Sequence, residues 1–429
     1  MKKKLLILFM LLAVKSSFSQ RILTLKECYE KAYAAAPVAI EKEAYMNIWQ
    51  LKDKNLSRSW FPALDANASF IYNSSVVDMT EALSALPASV TDQIKSLPHE
   101  QYKVTLDVNQ TIYDGGTIRS ARDLEKAELN INEKQTEADL YKLRSQINGC
   151  YFNLLLIDRQ KELLQNYLEL INKRIVSMNS AVTSGVILRS DIDVLTSEKL
   201  KLEQQLSENA IRKASLLKTL TSLTGTEVDD STEFVLPSLE QEVTGELSRP
   251  ELQLYDLRKE QLNATLQAIQ SKRMPKAFGF ATVGYGNPPG SNFFKNEFAP
   301  YYILGLSVKW NIFDWNKAKN EKQVVSIQQS ILDSRKSDMT DNLKRLLDTK
   351  SAEIASIESL LKTDTEIIAL KKKITASAES QYANGTITAT DYMNELNSEK
   401  QALINYEIHK INLAMARVEY INICGKEIE

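Results

Sequence analysis

The chain contains two copies of one long segment, and this duplication limits the folds open to it more than any other feature. The positions that match at a shift of 200 residues are Val108–Asp114 with Val308–Asp314, Gly185 with Gly385, Asp191 with Asp391, and Gly225 with Gly425. Phe61-Pro62 also matches Met274-Pro275, at a shift of 213. A period of this length is far too long for a solenoid repeat. We therefore expect one supersecondary block that occurs twice.

The first 19 residues have the pattern of a secretory signal peptide. Lys2, Lys3 and Lys4 precede an apolar run from Leu5 to Val14, and small residues before Gln20 suit cleavage there. The apolar run is shorter than the roughly 18 residues that a membrane helix needs, and no later run reaches that length. We therefore expect an exported protein whose mature chain has no transmembrane helix.

Composition and charge exclude several classes of function. The net charge is −2 and charges of both signs are interspersed, so a nucleic-acid-binding footprint is absent. The three cysteines, Cys28, Cys150 and Cys424, are scattered in helical patterns and predict packed thiols rather than a disulfide framework. Two histidines and no nucleophile, phosphate-loop or metal-ligand motif leave no catalytic, cofactor or metal site to predict. An enzyme finds no support.

Four segments of about 10 or 11 residues alternate between apolar and polar residues, as strands with two different faces do. They span residues 63–73, 102–112, 277–286 and 302–312. The last is the clearest, with Tyr302, Leu304 and Leu306 on one face. The third is less regular, because Phe278 and Phe280 fall on its otherwise polar face. This length and pattern are typical of strands that cross an outer membrane.

Long helices follow each strand pair. From Leu140 the apolar residues step by three and four, which is the period of a coiled coil. A helix over residues 118–182 would be about 95 Å long at 1.5 Å per residue. It ends before Gly185, and a second helix over 190–223 returns antiparallel to it. The same pair recurs over 315–382 and 391–423, with its turn at Gly385.

These segments predict a domain organisation in four parts. Residues 1–19 are the signal peptide, and residues 226–249 form a polar connector between the two repeats. The first repeat covers 20–225, with a β-hairpin over 63–112 and a helical-hairpin tip near 185. The second repeat covers 250–429, with a β-hairpin over 277–312 and a tip near 385.

Four strands are too few to close around water, since the smallest barrels that span a membrane have eight. An open sheet in lipid would leave edge amides unpaired, at a cost of several kcal/mol each. If these strands span the membrane, the chain must therefore oligomerise. Three copies give twelve strands and four give sixteen, and physics alone does not decide between them. Ordinary hairpins that cap a soluble helical bundle are the alternative.

With strand pairs inserted between long hairpin helices, twice over, the sequence resembles the TolC-type outer membrane efflux protein family. The residues that carry the resemblance are the Leu23-Thr24-Leu25 start, the Pro62 and Pro275 breaks, Tyr113-Asp114-Gly115-Gly116, the Gly185 and Gly385 turns with Asp191 and Asp391, and the glycines Gly225 and Gly425. The resemblance implies a mostly α fold with a β-barrel portion, in which four strands per chain close as a twelve-stranded barrel in a homotrimer. An α-helical coiled-coil barrel then continues into the periplasm.

The same resemblance implies an outer membrane location and contact with outer membrane lipid. The implied partners are a periplasmic membrane-fusion adaptor and an inner-membrane transporter of the RND or ABC type. The chain would be the passive exit duct of a tripartite efflux or type I secretion system. The other hypothesis is a soluble periplasmic coiled-coil adaptor or scaffold. Whether drugs, metals or proteins pass is not encoded in any motif.

The resemblance implies functional residues at two places, the helical-hairpin turns and the closed periplasmic end. The turns Ser184-Gly185-Val186 and Asn384-Gly385-Thr386 resemble the family's tips, which face the adaptor. Asp391 resembles an aspartate at the closed periplasmic end, while the next acidic position is Asn394 here and the basic partner position is Ile387. Three copies of Asp391 around an axis would attract cations. The alternative is that Asp391, like Asp191 in the first copy, is a helix N-terminal carboxylate favoured by the helix dipole.

Overall fold

The computed structural model describes residues 22–77, 87, 97–183, 188–237, 245–292 and 295–428. The predicted signal peptide and the tip residues Ser184, Gly185 and Val186 lie outside these ranges. Among the residues that are described, no helix has the length and the apolar character of a membrane-spanning helix.

The first copy begins with a two-residue strand and two helices. The elements are β1 (Ile22–Leu23), α1 (Leu25–Ala35), α2 (Ala39–Arg58), β2 (Ala63–Tyr72), β3 (Glu100–Tyr113), α3 (Thr117–Thr183) and α4 (Arg189–Thr224). The segment between Leu25 and Arg58 forms two helices rather than one. Pro37 lies between α1 and α2, where a proline cannot donate the next helical hydrogen bond.

The second copy repeats this order after a short strand in the connector. Its elements are β4 (Glu233–Phe234), α5 (Pro250–Ser271), β5 (Lys276–Asn287), β6 (Ala299–Lys309), α6 (Lys317–Ala383) and α7 (Ala389–Cys424). The helices α3 and α6 have 67 residues each, and α4 and α7 have 36 each. Equal lengths in both copies are what a duplicated block requires.

The chain divides into two units. The first contains the described residues of Met1–Lys42, Lys134–Gln253 and Lys336–Glu429, and the second contains Glu43–Glu133 and Leu254–Arg335. Most of the buried apolar residues lie in the first unit, in two clusters of helical side chains. One cluster includes Tyr151, Leu154 and Val418, and the other includes Leu195, Leu202 and Tyr392.

The second unit holds an antiparallel sheet in the order β2-β3-β5-β6. Leu106 lies opposite Ala66 on one side and Val283 on the other, so apolar residues align across the strands. Asp107 in turn lies opposite Asp65 and Thr282, so polar residues align on the other face. A small helical core of Ile269, Ala318 and Val325 completes this unit.

Candidate functional site

The sheet of the second unit has one continuous apolar face that none of the described residues covers. Leu64 is 64% exposed, Leu304 is 71% exposed and Leu306 is 79% exposed. Aromatic rings pack against one another near the loop end of the sheet. The ring centroids of Phe70 and Tyr102, on neighbouring strands, are 4.9 Å apart, and those of Tyr285 and Phe298, which directly precedes β6, are 5.9 Å apart. An apolar band bordered by aromatic side chains is the arrangement of a barrel wall that faces lipid.

The opposite face is polar and internally hydrogen bonded. The carboxylate of Asp107 accepts hydrogen bonds from Asn67 at 2.8 Å, Thr105 at 2.8 Å and Thr282 at 2.5 Å. These residues come from three neighbouring strands, so the network ties the sheet together on the side suited to water.

Glycines explain the aromatic residues that interrupt the polar face. A Cβ at Gly284 would lie 2.5 Å from the ring of Tyr301, and a Cβ at Gly305 would collide with the ring of Phe280. Each ring therefore lies flat on a position that has no side chain. Glycine in a strand marks a close approach of this kind, and it accounts for Phe280 on the polar face of the third strand.

Both edges of this sheet are unpaired in the described part of the chain. The outer strands β2 and β6 are each hydrogen bonded on one side only. Unpaired edge amides in hydrocarbon cost several kcal/mol each, so a sheet in lipid must be completed by other chains.

The second helical-hairpin turn lies in the first unit. Gly385 has a φ of +71°, and a Cβ placed on it would meet no atom of the described residues within 4 Å. The amide of Gly385 donates to the carbonyl of Tyr382 at 3.0 Å, and the amide of Thr386 donates to the carbonyl of Gln381 at 2.9 Å. A left-handed residue that ends a helix in this way is usually glycine. The surface around this glycine is open.

Asp391 takes part in a capping box at the start of α7. Its amide donates to the Thr388 hydroxyl at 3.1 Å, and its carboxylate accepts from the Thr388 amide at 3.1 Å and from the Thr388 hydroxyl at 2.7 Å. The hydrogen bonds from the Thr388 hydroxyl and amide lower the pKa of the Asp391 carboxyl. This is the helix-cap role that the sequence left open for Asp391.

The first copy lacks the same cap. The residue that precedes α4 is Leu188, which has no hydroxyl and makes no side-chain capping bond. Asp191 is half-buried, and its amide donates to the carbonyl of Leu188 at 3.2 Å. The two aspartates match in sequence, but their caps differ because the residues three positions before them differ.

Asn394 lines a polar groove of about 420 Å³ between α4 and α7. Its other lining residues are Ser190, Asp193, Val194, Ser197, Glu198, Lys201, Thr390, Met393 and Asn397. Neither Asp191 nor Asp391 lines this groove. The three predicted constriction residues thus lie near the start of the two returning helices without forming one cluster within a single chain.

An ion pair that the sequence did not reveal lies at this groove. The ammonium of Lys400 is 2.9 Å from the carboxylate of Glu198, and both side chains are nearly buried. Burial raises the pKa of Glu198, but the hydrogen bond and charge of Lys400, with help from Asn397 and Lys201, outweigh this, so the pKa is lowered. The residues are 202 positions apart, and no pattern in the sequence links them.

A second buried cation lies farther from the tip, in the same unit. Arg144 is 6% exposed, donates to the Tyr33 hydroxyl at 2.6 Å and to the Lys426 carbonyl at 2.8 Å, and lies over the ring of Tyr141 at 4.4 Å. It therefore joins α1, α3 and the end of the chain. Sequence reasoning missed it because an arginine on a helix reads as a solvated charge.

The cysteines are buried and free, as predicted. Burial raises the pKa of the Cys28 thiol to about 12. The described residues contain no group of His, Cys, Asp and Glu that could hold a metal ion.

Comparisons with known proteins agree with this arrangement of strands and helices. A family model described as outer membrane efflux protein matches residues 55–226. A comparison with curated protein sequences gives no match.

Solved outer membrane channels share the fold. The outer membrane protein VceC of Vibrio cholerae aligns with a TM-score of 0.67 and 15% identity, over 94% of this chain and 97% of that one. The CmeC outer membrane channel of Campylobacter jejuni has a TM-score of 0.64 and 16% identity, with 94% and 85% covered. The MtrE outer membrane channel of Neisseria gonorrhoeae aligns with a TM-score of 0.67 and 15% identity, over 94% of this chain and 89% of that one.

The chain has the fold of these outer membrane channels, with long helices and a strand portion. The resemblance to the outer membrane efflux protein family is thus confirmed. The solved structures that share the fold are described as an outer membrane protein and outer membrane channels, which agrees with the expected outer membrane location. The alternative of a soluble adaptor or scaffold finds no support.

Proposed function

We propose that three copies of this protein form the exit duct of a tripartite efflux or type I secretion system. The duct conducts substrate passively from a periplasmic adaptor and an inner-membrane transporter of the RND or ABC type to the exterior. No catalytic step is part of this proposal, because the energy comes from the inner-membrane partner.

One observation carries the proposal. The sheet β2-β3-β5-β6 has an exposed apolar face, a hydrogen-bonded polar face and two unpaired edges. A sheet of this kind is stable only when lipid covers one face, water wets the other and further strands complete the edges. Three copies supply twelve strands, which is enough to enclose a water-filled lumen.

The test is reconstitution of the purified protein. We expect a trimer in detergent whose migration on gels changes on heating, and stepwise currents when it is added to a planar lipid bilayer. Recovery as a soluble monomer after osmotic shock, with no ion current in bilayers, would refute the duct.

We also propose that the two repeats, residues 20–225 and 250–429 joined by a connector over 226–249, each contribute one helical-hairpin tip to the adaptor contact. The tip residues are Ser184, Gly185, Val186, Asn384, Gly385 and Thr386. Support comes from Gly385, whose open surroundings leave room for another protein to approach the backbone.

Asp391 is proposed as one residue of a constriction at the periplasmic end, with Asn394 and Asp191 as further candidates. Its carboxylate is exposed and has a lowered pKa, so it stays ionised at neutral pH. Three such carboxylates around an axis would repel one another and attract cations.

A further inference from the structure

The two unpaired edges of the sheet are the duplicates of its two central strands. The edge strand β6 corresponds to β3 at a shift of 200, and the edge strand β2 corresponds to β5 at a shift of 213. The central strands β3 and β5 pair with each other within the chain. The β3–β5 ladder within the chain therefore shows how the equivalent open edges, β6 and β2, can pair between two subunits.

The duplication holds at the level of single hydrogen-bonded positions. In the first hairpin Ala63 lies opposite Asn109. Shifting these two positions by 213 and 200 gives Lys276 opposite Lys309, which is the pairing found in the second hairpin. Residue correspondences between the copies can therefore be carried from one ladder to another.

We propose that β6 of one subunit pairs antiparallel with β2 of the next, in the register of the β3–β5 ladder. Asp107 lies opposite Thr282 in that ladder, and the shifted pair is Ser307 opposite Ser69 of the partner subunit. The neighbouring pair, Val108 with Ala281, becomes Val308 with Ala68 of the partner subunit. This register deepens the proposed function, on whose trimer it rests.

The proposed register keeps the two faces of the sheet continuous. It sets Leu306 opposite Phe70 of the partner subunit and Leu304 opposite Tyr72 of the partner subunit, all on the apolar face. A slip by one residue would turn every side chain of a strand to the opposite face. Only shifts by an even number of residues compete with this register.

Charge is compatible with this register. Within the chain, Asp65 lies opposite Asp107 and Lys276 lies opposite Lys309, and like charges directly opposite are destabilising. In the part of the chain that the structure describes, neither Asp65 nor Lys309 forms an ion pair. The proposed register sets Lys309 diagonal to Asp65 of the partner subunit, within reach of a long side chain. A slip by two residues would set the same two side chains directly opposite, so the choice between these registers rests on the duplication and on strand length.

Strand length gives an independent argument. The strand β3 continues to Tyr113, and its last residues pair only with β5, as in Thr111 opposite Phe278. The equivalent strand β6 ends at Lys309, where its pairing with β5 ends. Residues 310–313 would gain a ladder only from β2 of the next subunit, so β6 should lengthen to Phe313 on assembly.

The correspondence ends at the junction between strand and helix. A Cβ at Gly115 would lie 2.6 Å from the Cβ of Met274, so the turn after β3 fits closely against the segment before β5. Its equivalent is Trp315, which has a φ of +53° and is 84% exposed. A tryptophan does not fit the space that Gly115 occupies. The subunit junction must therefore be wider there, and the proposed register covers only the strands.

Disulfide cross-linking tests the register. The double variant Ser69→Cys/Ser307→Cys should form covalent dimers and trimers after mild oxidation in outer membranes, and a reductant should reverse them. The control Asp65→Cys/Ser307→Cys places the thiols four residues, or about 13 Å, out of register, and it should stay monomeric on a denaturing gel. The wild-type protein, with its three buried cysteines, sets the background.

The outcomes separate the register from the duct. Stronger cross-linking of Ser307→Cys with Asn67→Cys or Ile71→Cys than with Ser69→Cys would refute the proposed register and show that the strands are shifted by two residues. Absence of cross-links in a variant that still forms conducting trimers would overturn this edge contact and leave the duct intact. A wild-type protein with neither trimer nor current would remove the basis of both.

Discussion

At the scale of single residues, the ion pair between Glu198 and Lys400 offers the sharpest test of what holds the returning helices together. Breaking a nearly buried pair leaves an uncompensated charge and costs about 3–5 kcal/mol. Lys201 is 3.6 Å from the same carboxylate and compensates in part. We therefore expect Lys400→Met to lower the free energy of unfolding by about 3 kcal/mol, measured by urea denaturation of the trimer.

The control for this prediction is the double variant Glu198→Leu/Lys400→Met. It leaves no buried charge without a partner, so it should be more stable than Lys400→Met alone. Because the fold lowers the pKa of Glu198, this carboxyl stabilises the fold above its unfolded pKa, and the contribution is lost as pH falls through the folded pKa. Equal stability of the single and double variants would show that the Glu198 carboxylate without Lys400 carries no cost of burial.

Asp391 has two possible roles, and two substitutions separate them. Asp391→Ala removes both the charge and the cap, whereas Asp391→Asn removes the charge and keeps an oxygen that can accept from Thr388. If three copies line a constriction, both variants should raise single-channel conductance or weaken cation block, while Asp191→Asn should change less. Bilayer recordings that match the wild type in both variants would leave Asp391 as a helix cap alone.

The tip assignment can be tested at Gly385 with two substitutions that share one strain. Both Gly385→Ala and Gly385→Trp force a side chain into a left-handed conformation, at about 1–2 kcal/mol. Only the tryptophan adds bulk, and its Cβ would meet no described atom within 4 Å. We expect both to form trimers, with efflux in cells and cross-linking to the adaptor reduced far more by the tryptophan. Equal transport by both variants would contradict an adaptor contact here.

At the scale of secondary-structure elements, the two faces of β3 predict opposite responses to the same charge. Leu106 lies on the apolar face and Thr105 on the polar face of this central strand. A lysine on a lipid-facing position near the midplane costs about 2–4 kcal/mol. We expect Leu106→Lys to reduce the folded trimer recovered from membranes, measured by heat-modifiable migration. Thr105→Lys loses one hydrogen bond to Asp107 but places an ammonium near the same carboxylate on the polar face, so it should reduce the trimer far less. The reverse result would invert the assignment of lipid and water.

The periodic strands and helices could be predicted from the sequence, but the tertiary contacts between them could not. Alternation along residues 63–73 and the 3.5-residue period from Leu140 are local signals, and each copy of the duplication repeats them. The pair Glu198–Lys400 and the contacts of Arg144 depend on helices that meet only in three dimensions. The paired strands β1 and β4 have two residues each, so they are too short to show an alternation of apolar and polar residues in the sequence.

Two elements show how tertiary context moves boundaries. The pattern extended the last strand to residue 312, yet β6 ends at Lys309 because the neighbouring ladder ends there. Both aspartates that follow the tip glycines were expected to cap in the same way, yet only Asp391 does, because Thr388 has a hydroxyl and Leu188 does not. A backbone boundary depends on its partner, and a cap depends on the residue three positions away.

At the scale of the whole molecule, the two units differ in what stabilises them. The first has helices with fully buried side chains such as Leu154 and Val418. None of the buried apolar residues of the described chain comes from the four strands of the second unit. The sheet therefore depends on lipid and on neighbouring subunits for the burial that the helices find within the chain.

This difference predicts the order in which protection appears during assembly. Trimer formation depends steeply on protein concentration, so refolding into micelles at low and at high concentration gives monomer and trimer respectively. In the monomer, amides around Leu154 and Val418 should resist hydrogen exchange, while those on the open edges of β2 and β6 should exchange fast. In the trimer, the edge amides should be protected as well, including those of residues 310–313. Edge amides already protected in the monomer would mean that the sheet is complete within one chain, and neither lipid nor a neighbour would then be needed to explain its exposed face.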